Sequence, residues 1–281
     1  MLESSFKNTI FMRSAIRKFN VSNDRTQRGS PDRFGYSWSI YSKILPEHRE
    51  QFRRWTSALP RETWKDALFL DAGCGIGRNS YWAMFEGATG GVAFDIDDRS
   101  LAAARENLKL YTTINVRNQS IYEIPEENYF DIAFSIGVIH HLAEPENALR
   151  QLTRAVKPGG YVLIWVYGRE NMSWLTRYFD PIRRLLFSRL PLRLVYHLSL
   201  YPTVALWLAL RMGLSRLEYY KLLRRFSFEH LRAIVFDQMI PRIAYHWPRE
   251  FVESLCRTAG LENIRLVHVN DMSWSACGQK P

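Results

Sequence analysis

Phe69-Leu70-Asp71-Ala72-Gly73-Cys74-Gly75-Ile76-Gly77-Arg78-Asn79-Ser80 is the stretch on which the reading of this chain turns. The run from Ala67 to Leu70 is short and apolar, as suits a strand buried on both faces of a parallel sheet. Gly73, Gly75 and Gly77 follow at alternate positions, where they permit positive φ and leave no Cβ between backbone and ligand. Arg78 to Glu86 predicts a helix whose N-terminus presents free N–H groups. Gly91-Val92-Ala93-Phe94-Asp95 predicts a second strand closed by an acid. Strand, glycine turn, helix, strand and acid form a unit suited to the adenosine half of a cofactor.

The spacing narrows the cofactor. A dinucleotide fingerprint reads G-x-G-x-x-G, with pyrophosphate on the helix end. Here the glycines read G-x-G-x-G behind Asp71, whose charge would repel a pyrophosphate. The arrangement suits a ligand carrying an ammonium and a sulfonium, with its carboxylate on the N–H groups of the turn. Asp95, followed by Ile96, is placed to accept both ribose hydroxyls.

The glycine motif resembles motif I of class I S-adenosylmethionine (SAM)-dependent methyltransferases. The likeness continues through Phe130-Asp131-Ile132-Ala133-Phe134-Ser135-Ile136-Gly137-Val138-Ile139-His140-His141-Leu142, similar to the family's fourth strand and following loop. It extends through Leu152 to Ile164, similar to a helix, a Lys-Pro-Gly-Gly turn and the fifth strand. Four motifs in order cover residues 65–167, and the nearest branch is the small-molecule and quinone-biosynthesis type. The resemblance implies SAM as cofactor, held by Asp71, Gly73, Gly75, Gly77, Asp95, Ile96, Ser120, Ile121 and Ser135. One position departs from the pattern. Family members often carry an acid five residues before the proline that here is Pro125, to accept from the adenine amino group; this chain has Ser120, whose hydroxyl can accept one hydrogen bond.

Alternating strands and helices predict an α/β fold, a Rossmann-like and mostly parallel sheet with helices on both faces. Expected strands are 67–71, 91–95, 113–118, 130–135 and 161–167, with helices at 78–86, 99–109 and 145–156. Ile264–Val269 and Ser273–Gly278 read as an antiparallel hairpin closing the sheet, after a helix from Pro248 to Ala259. The expected division is an N-terminal extension and aromatic cap (1–60), a SAM-binding core (61–170 and 248–281) and a helical insertion forming a lid (171–247). Ligands of such sheets sit beyond the carboxyl ends of the strands.

The 281 residues carry a net charge of +10. Between Arg177 and Arg225 stand ten arginines and lysines against two acids, Asp180 and Glu218. Most of the excess charge therefore lies in one segment, among Leu, Trp, Tyr and Phe. Leu194 to Leu210 has no formally charged residue, and it admits three readings. It could pack on the core as a lid, lie in an anionic membrane interface, or span a bilayer, for which seventeen residues are at the short limit. A nucleic-acid substrate is not expected, because the loop after the fourth strand lacks the Asn/Asp-Pro-Pro-aromatic pattern of base-amino methyltransferases and no Pro-Cys nucleophile is visible. The resemblance implies methyl transfer from SAM to oxygen or carbon of a small acceptor, apolar or lipid-linked; the alternative is a SAM-fold protein without methyl transfer, either a membrane-associated binding or assembly subunit or an enzyme using another part of SAM.

Three cysteines, Cys74, Cys256 and Cys277, argue against a disulfide framework and favour a reducing, cytoplasmic setting with a peripheral membrane contact as its extension. No metal-ligand spacing occurs among Cys and His. Met1 to Ser30 is basic and acid-poor; it reads as a peripheral helix or a transit-like segment. Methyl transfer requires a base only for a protonated acceptor. His140 and His141 follow the strand facing the methyl group and are the first candidates, against a purely structural role in the loop. Asp237 and Tyr245 are candidates in the acceptor wall. Tyr36 and Trp38 either cap the sulfonium through their ring faces or form a packing cluster.

Overall fold

The computed structural model describes residues 30–173, 175–213 and 218–281. The reading of Met1 to Ser30 therefore lies, except for Ser30, outside the described residues. The chain opens with α1 (Pro31–Ile40) and α2 (Glu47–Trp55), then enters the sheet through β1 (Leu68–Ala72). There follow α3 (Arg78–Phe85), β2 (Gly90–Asp95), α4 (Asp98–Leu108), β3 (Ile114–Asn118), β4 (Phe130–Ile136), α5 (Pro145–Ala155) and β5 (Val156–Tyr167). Two π-helical turns, Leu175–Phe179 and Arg183–Phe187, begin the helical segment. It continues with α6 (Leu192–Leu198), α7 (Leu200–Arg211), α8 (Glu218–Leu223) and α9 (Phe228–Met239). The chain ends with α10 (Arg249–Thr258), β6 (Glu262–Val269) and β7 (Ser273–Gln279).

The seven strands lie in the order β3-β2-β1-β4-β5-β7-β6, with β7 antiparallel to both neighbours. The strand order reverses between β1 and β4, and the carboxyl ends of those strands frame the crevice where such sheets bind ligands.

Side-chain alternation explains the two core layers. Leu70, Ala133, Val162 and Ile164 face one side, against Ala148, Leu149 and Leu152 of α5 and Val252 and Leu255 of α10. Phe69, Ile132, Phe134 and Leu163 face the other, against Phe52, Trp64, Trp82 and Leu101. Each fully buried Leu, Ile or Phe contributes about 1.5–3 kcal/mol relative to exposure, so a one-residue slip in a central strand would invert both layers.

The Lys-Pro-Gly-Gly turn is part of β5. Its pairing with β4 jumps from Phe130–Val156 to Ile132–Tyr161, so the turn is absorbed as a bulge. The aromatic stretch 34–41 lies mostly in α1. That helix packs on the helical segment, where Phe34, Tyr36 and Tyr41 surround Val195, Phe236, Met239 and Ile240. Buried Arg33 fastens the junction by donating from Nε to the Ile240 carbonyl (2.7 Å) and from Nη2 to the Phe187 carbonyl (2.8 Å).

The apolar run Leu194–Leu210 is divided between α6 and α7 at Ser199. No helix among the described residues is long and apolar enough to cross a membrane, which removes the spanning reading of this run.

Candidate active site

Gly73 (φ +80°), Gly75 (φ +54°) and Gly77 (φ +75°) carry β1 into α3 in a left-handed turn. A Cβ on Gly75 would sit 3.2 Å from Trp38 Nε1, and one on Gly77 would strike Leu108 at 2.7 Å. The turn is tied to β2 by hydrogen bonds from the Gly73 and Cys74 N–H groups to the Phe94 carbonyl.

Asp95 ends β2 with its carboxylate fixed by three backbone donors. Oδ2 accepts from Gly75 N at 3.0 Å; Oδ1 accepts from Ile96 N at 2.8 Å and Asp97 N at 3.1 Å. Burial raises its pKa, and those backbone N–H groups oppose the shift. A carboxylate offers about four lone-pair sites, so capacity remains for a ligand hydroxyl.

A cavity of about 1170 Å³ opens from this turn and runs beneath the helical segment. Gly73, Gly75, Asp95, Ile96, Ser120, Ile121, Trp38, His141 and Asp237 line it among the residues expected from sequence. Six others do not. Asp71 is fully buried behind the turn, accepting from Ser80 Oγ at 2.6 Å and thereby anchoring α3; burial lifts its pKa to about 7. Ser135 Oγ donates to the Ala72 carbonyl and locks β4 to β1. Gly77 packs on α4, and Tyr36 packs edge-on against Phe236.

The other two corrections concern chemistry. His140 is completely buried, lies against the Tyr167 ring at 4.0 Å, and has no hydrogen-bond partner on either ring nitrogen among the described residues. Burial drives its pKa well below the ordinary value. Tyr245 stacks on Trp247 outside the cavity. The two rings of the short 3₁₀ turn Ile139–His141 lie 4.1 Å apart, but only His141 lines the cavity, with His140 buried behind it.

His141 pairs through Nδ1 with the Ile243 carbonyl at 2.6 Å. A carbonyl can only accept, so Nδ1 carries the proton and Nε2 keeps its lone pair. Burial lowers the His141 pKa to about 4, which leaves the ring neutral at neutral pH. Asp237 accepts from Ser37 Oγ at 2.6 Å, and burial raises its pKa to about 6. Gln238 Nε2 donates to Tyr167 Oη at 2.8 Å in the same wall.

Two further residues of the cleft were not expected. Gln119 lines the cavity beside Ser120, and its buried Nε2 has no partner among the described residues. Ser120 Oγ already accepts from Tyr122 N, so the amide next to it is the freer polar group. Arg78, first residue of α3, lies deep in the cavity wall with its guanidinium over Trp55 (4.9 Å) and Trp38 (5.7 Å). Among the described residues no carboxylate lies within ion-pair distance of it, and burial lowers its pKa to about 10. A cation at a helix N-terminus is opposed by the helix dipole; an anionic ligand group there would satisfy both.

The glycine cradle, the acid at the end of β2, the unpartnered amide and the unpaired guanidinium fit a zwitterionic nucleoside. Residues 70–164 match the methyltransferase domain family. This stretch is a methyltransferase domain. Human N-acetylserotonin methyltransferase, solved in complex with SAM, aligns with a TM-score of 0.50 at 14% identity, covering 82% of this chain and 51% of that one.

A tRNA U34 carboxymethyltransferase of Cellvibrio japonicus is 30% identical over 139 residues, covering 48% of this chain and 43% of that protein. The chain thus spans less than half the length of this curated relative. Among solved structures, an O-methyltransferase family protein of Burkholderia thailandensis aligns with a TM-score of 0.53 at 13% identity, covering 89% of this chain and 59% of the other. The 1,6-didemethyltoxoflavin-N1-methyltransferase of the same organism aligns with a TM-score of 0.50 at 13% identity, covering 96% and 89%. At these identities the structures speak for the fold.

Proposed function

We propose that this protein methylates a small, apolar or lipid-linked acceptor at oxygen or carbon. The observation that carries this reading is continuity. The cleft at Gly75 and Asp95 passes without a wall into space lined by Leu198, Leu206, Tyr219, Leu222, Leu223 and Ile234. Ligand pockets commonly occupy about 300–1,000 Å³, so a cavity of about 1170 Å³ has room for a nucleoside cofactor and an apolar partner together.

In this reading residues 171–247 are the acceptor-binding lid, residues 61–170 and 248–281 the core, and residues 1–60 contribute the cap. Bound SAM supplies an electrophilic methyl group on a sulfonium. Asp95 holds the ribose, Arg78 and the N–H groups of α3 hold the amino-acid carboxylate, and Gln119 with Ser120 and Ile121 meets the adenine. His141 Nε2 or the Asp237 carboxylate takes the acceptor proton, and the lid excludes water. We place the protein in the cytoplasm with its lid against a membrane surface.

The relative's name and the +10 charge favour a second reading, transfer to RNA. The apolar lining of the deep cavity favours the first. Incubating the protein with methyl-labelled SAM and an extract of its source cells, then partitioning into solvent, tests both. Label in the organic phase supports the lipid-like acceptor; label precipitating with RNA and released by ribonuclease overturns it.

A further inference from the structure

We infer that the outer face of residues 178–212 docks on an anionic lipid bilayer, and that the acceptor reaches the site from that bilayer through the cavity wall at Ile182 and Tyr201. The inference rests on the proposed apolar acceptor for its second half only.

The helix α7 shows why this face is unusual. Its inner side, Thr203, Leu206 and Leu210, is buried or half-buried against the segment. Its outer side, Leu200, Tyr201, Val204 and Leu208, is exposed and equally apolar. A helix on a water-facing surface ordinarily places polar residues outward; one that is apolar all round belongs in a core or in lipid. The pattern is not confined to α7. Ten of the sixteen large hydrophobic side chains exposed among the described residues fall between Tyr178 and Met212, including Leu185, Leu186 and Leu194. Scattered exposed apolar residues are ordinary, whereas a concentrated patch marks an interaction site.

Charge identifies the occupant. Exposed Arg184, Arg189, Arg193 and Arg211 accompany the patch, and none has a carboxylate within ion-pair distance among the described residues. The acid Asp180 is buried and paired with Arg183, itself only 1% exposed. Arg183 is therefore a structural cation, unlike its neighbours. Apolar side chains fringed by unpaired arginines match acyl chains beneath anionic headgroups. An RNA backbone would engage the arginines but leave the aliphatic side chains wet. For base stacking the patch exposes only two tyrosines, Tyr178 and Tyr201, and one histidine, His197.

The patch is also the wall of the cavity. Ile182 (50% exposed) and Tyr201 (72% exposed) both line it, as do Phe187, Leu198 and Pro202. An apolar molecule leaving a bilayer here would enter the site without crossing water.

The test is sedimentation of the full chain with vesicles of phosphatidylcholine alone or mixed with phosphatidylglycerol, and with RNA as competitor. The wild type is expected to partition onto the mixed vesicles and much less onto the neutral ones. Arg184→Gln with Arg193→Gln should weaken partition about thirtyfold, at roughly 1 kcal/mol for each basic residue near the surface. Leu185→Glu with Leu208→Glu should weaken it comparably, while SAM affinity by calorimetry stays at the wild-type value and certifies the fold. Neither leucine lines the cavity. Wild type left in the supernatant, variants that partition equally, or RNA that displaces the protein from vesicles would each overturn docking. Access is read separately. The leucine variant should methylate the extracted organic-phase acceptor in detergent micelles but lose transfer to the same acceptor in vesicles; equal rates in vesicles would sink the portal. If no organic-phase acceptor exists, the proposed function fails while the partition result still decides docking.

Discussion

The Asp237 carboxylate accepts a 2.6 Å hydrogen bond from Ser37 Oγ, joining α9 of the helical segment to α1 across 200 residues of sequence. The bond opposes the burial that lifts the Asp237 pKa to about 6. If Asp237 takes the acceptor proton, kcat/KM rises with pH through about 6. Ser37→Ala removes a donor to the charged form, so the inflection should move upward, by about one to two units for a lost charge-assisted bond. Asp237→Asn should lower kcat by about 10²–10⁴-fold. A pH–rate profile of the three proteins checks this; an unmoved inflection in Ser37→Ala would exclude Asp237 as the titrating base.

His141 makes a different prediction from the same measurement. With a pKa near 4, its Nε2 is deprotonated well below neutral pH. A His141 base gives a rate that climbs through about 4 and is flat by 6. His141→Gln should then abolish the low-pH limb, whereas Asp237→Asn should leave the inflection in place. The two candidate bases are thus separable by where the profile bends.

His140 should prove dispensable for chemistry. Its ring lies against Tyr167 and His141 with both nitrogens unpartnered among the described residues. Leaving buried polar atoms unpaired costs about 1–3 kcal/mol, and a phenyl ring of similar size removes that cost. His140→Phe is expected to retain activity and to hold or raise the melting temperature. A loss of turnover with the fold intact would return His140 to the site.

The core was legible because parallel strands, glycine turn and helix each carry their own local signal, and those signals agree from Leu68 to Tyr167. The site was legible where the backbone itself is the device, as at Gly75 and Asp95. It was not legible where direction decides. Nothing in His140-His141 says which ring meets the cavity, since a 3₁₀ turn must be built first. Tyr245 sat among plausible acceptor residues, but stacking on Trp247 turns it outward. Arg78 did leave a signal, a cation at a helix N-terminus without a compensating acid in the first turn. Docking of α1 on the segment through Arg33 and Ser37 depends on contacts far apart in sequence, beyond the reach of periodicity.

Asp95 and Arg78 should govern cofactor affinity in distinguishable ways. Asp95→Asn weakens hydrogen bonds that a carboxylate makes to hydroxyls, worth about 1.5–3 kcal/mol, or roughly ten- to a hundredfold in Kd. The loss should appear with both SAM and its decarboxylated analogue. Arg78→Gln should weaken SAM by at least about tenfold and leave the decarboxylated analogue little changed. Calorimetry with both ligands checks the assignments; equal losses for the two ligands in Arg78→Gln would remove the carboxylate contact.

Stability should fall as pH drops from 6.5 towards 5. The folded state depresses the pKa of five histidines: His48 to about 2, His141 and His230 to about 4, and His140 and His246 also downward, all chiefly by burial. A depressed histidine contributes stability that is present above its unfolded pKa of about 6.5 and is lost as pH falls towards the folded value. Asp71 and Asp237 act oppositely, because raised carboxyl pKa values give stability at low pH that is lost as pH rises through about 7 and about 6. Near pH 5.5 the unfolded chain binds about two more protons than the folded one, the histidines outnumbering the acids. At about 1.4 kcal/mol per proton and pH unit, stability should rise roughly 2–3 kcal/mol per unit. That corresponds to a melting temperature higher by about 5 °C or more at pH 6.5 than at 5.5. His48→Phe, which removes a ring whose pKa burial depresses to about 2, should flatten the slope. A melting temperature that fell between pH 5.5 and 6.5 would mean that the acids dominate.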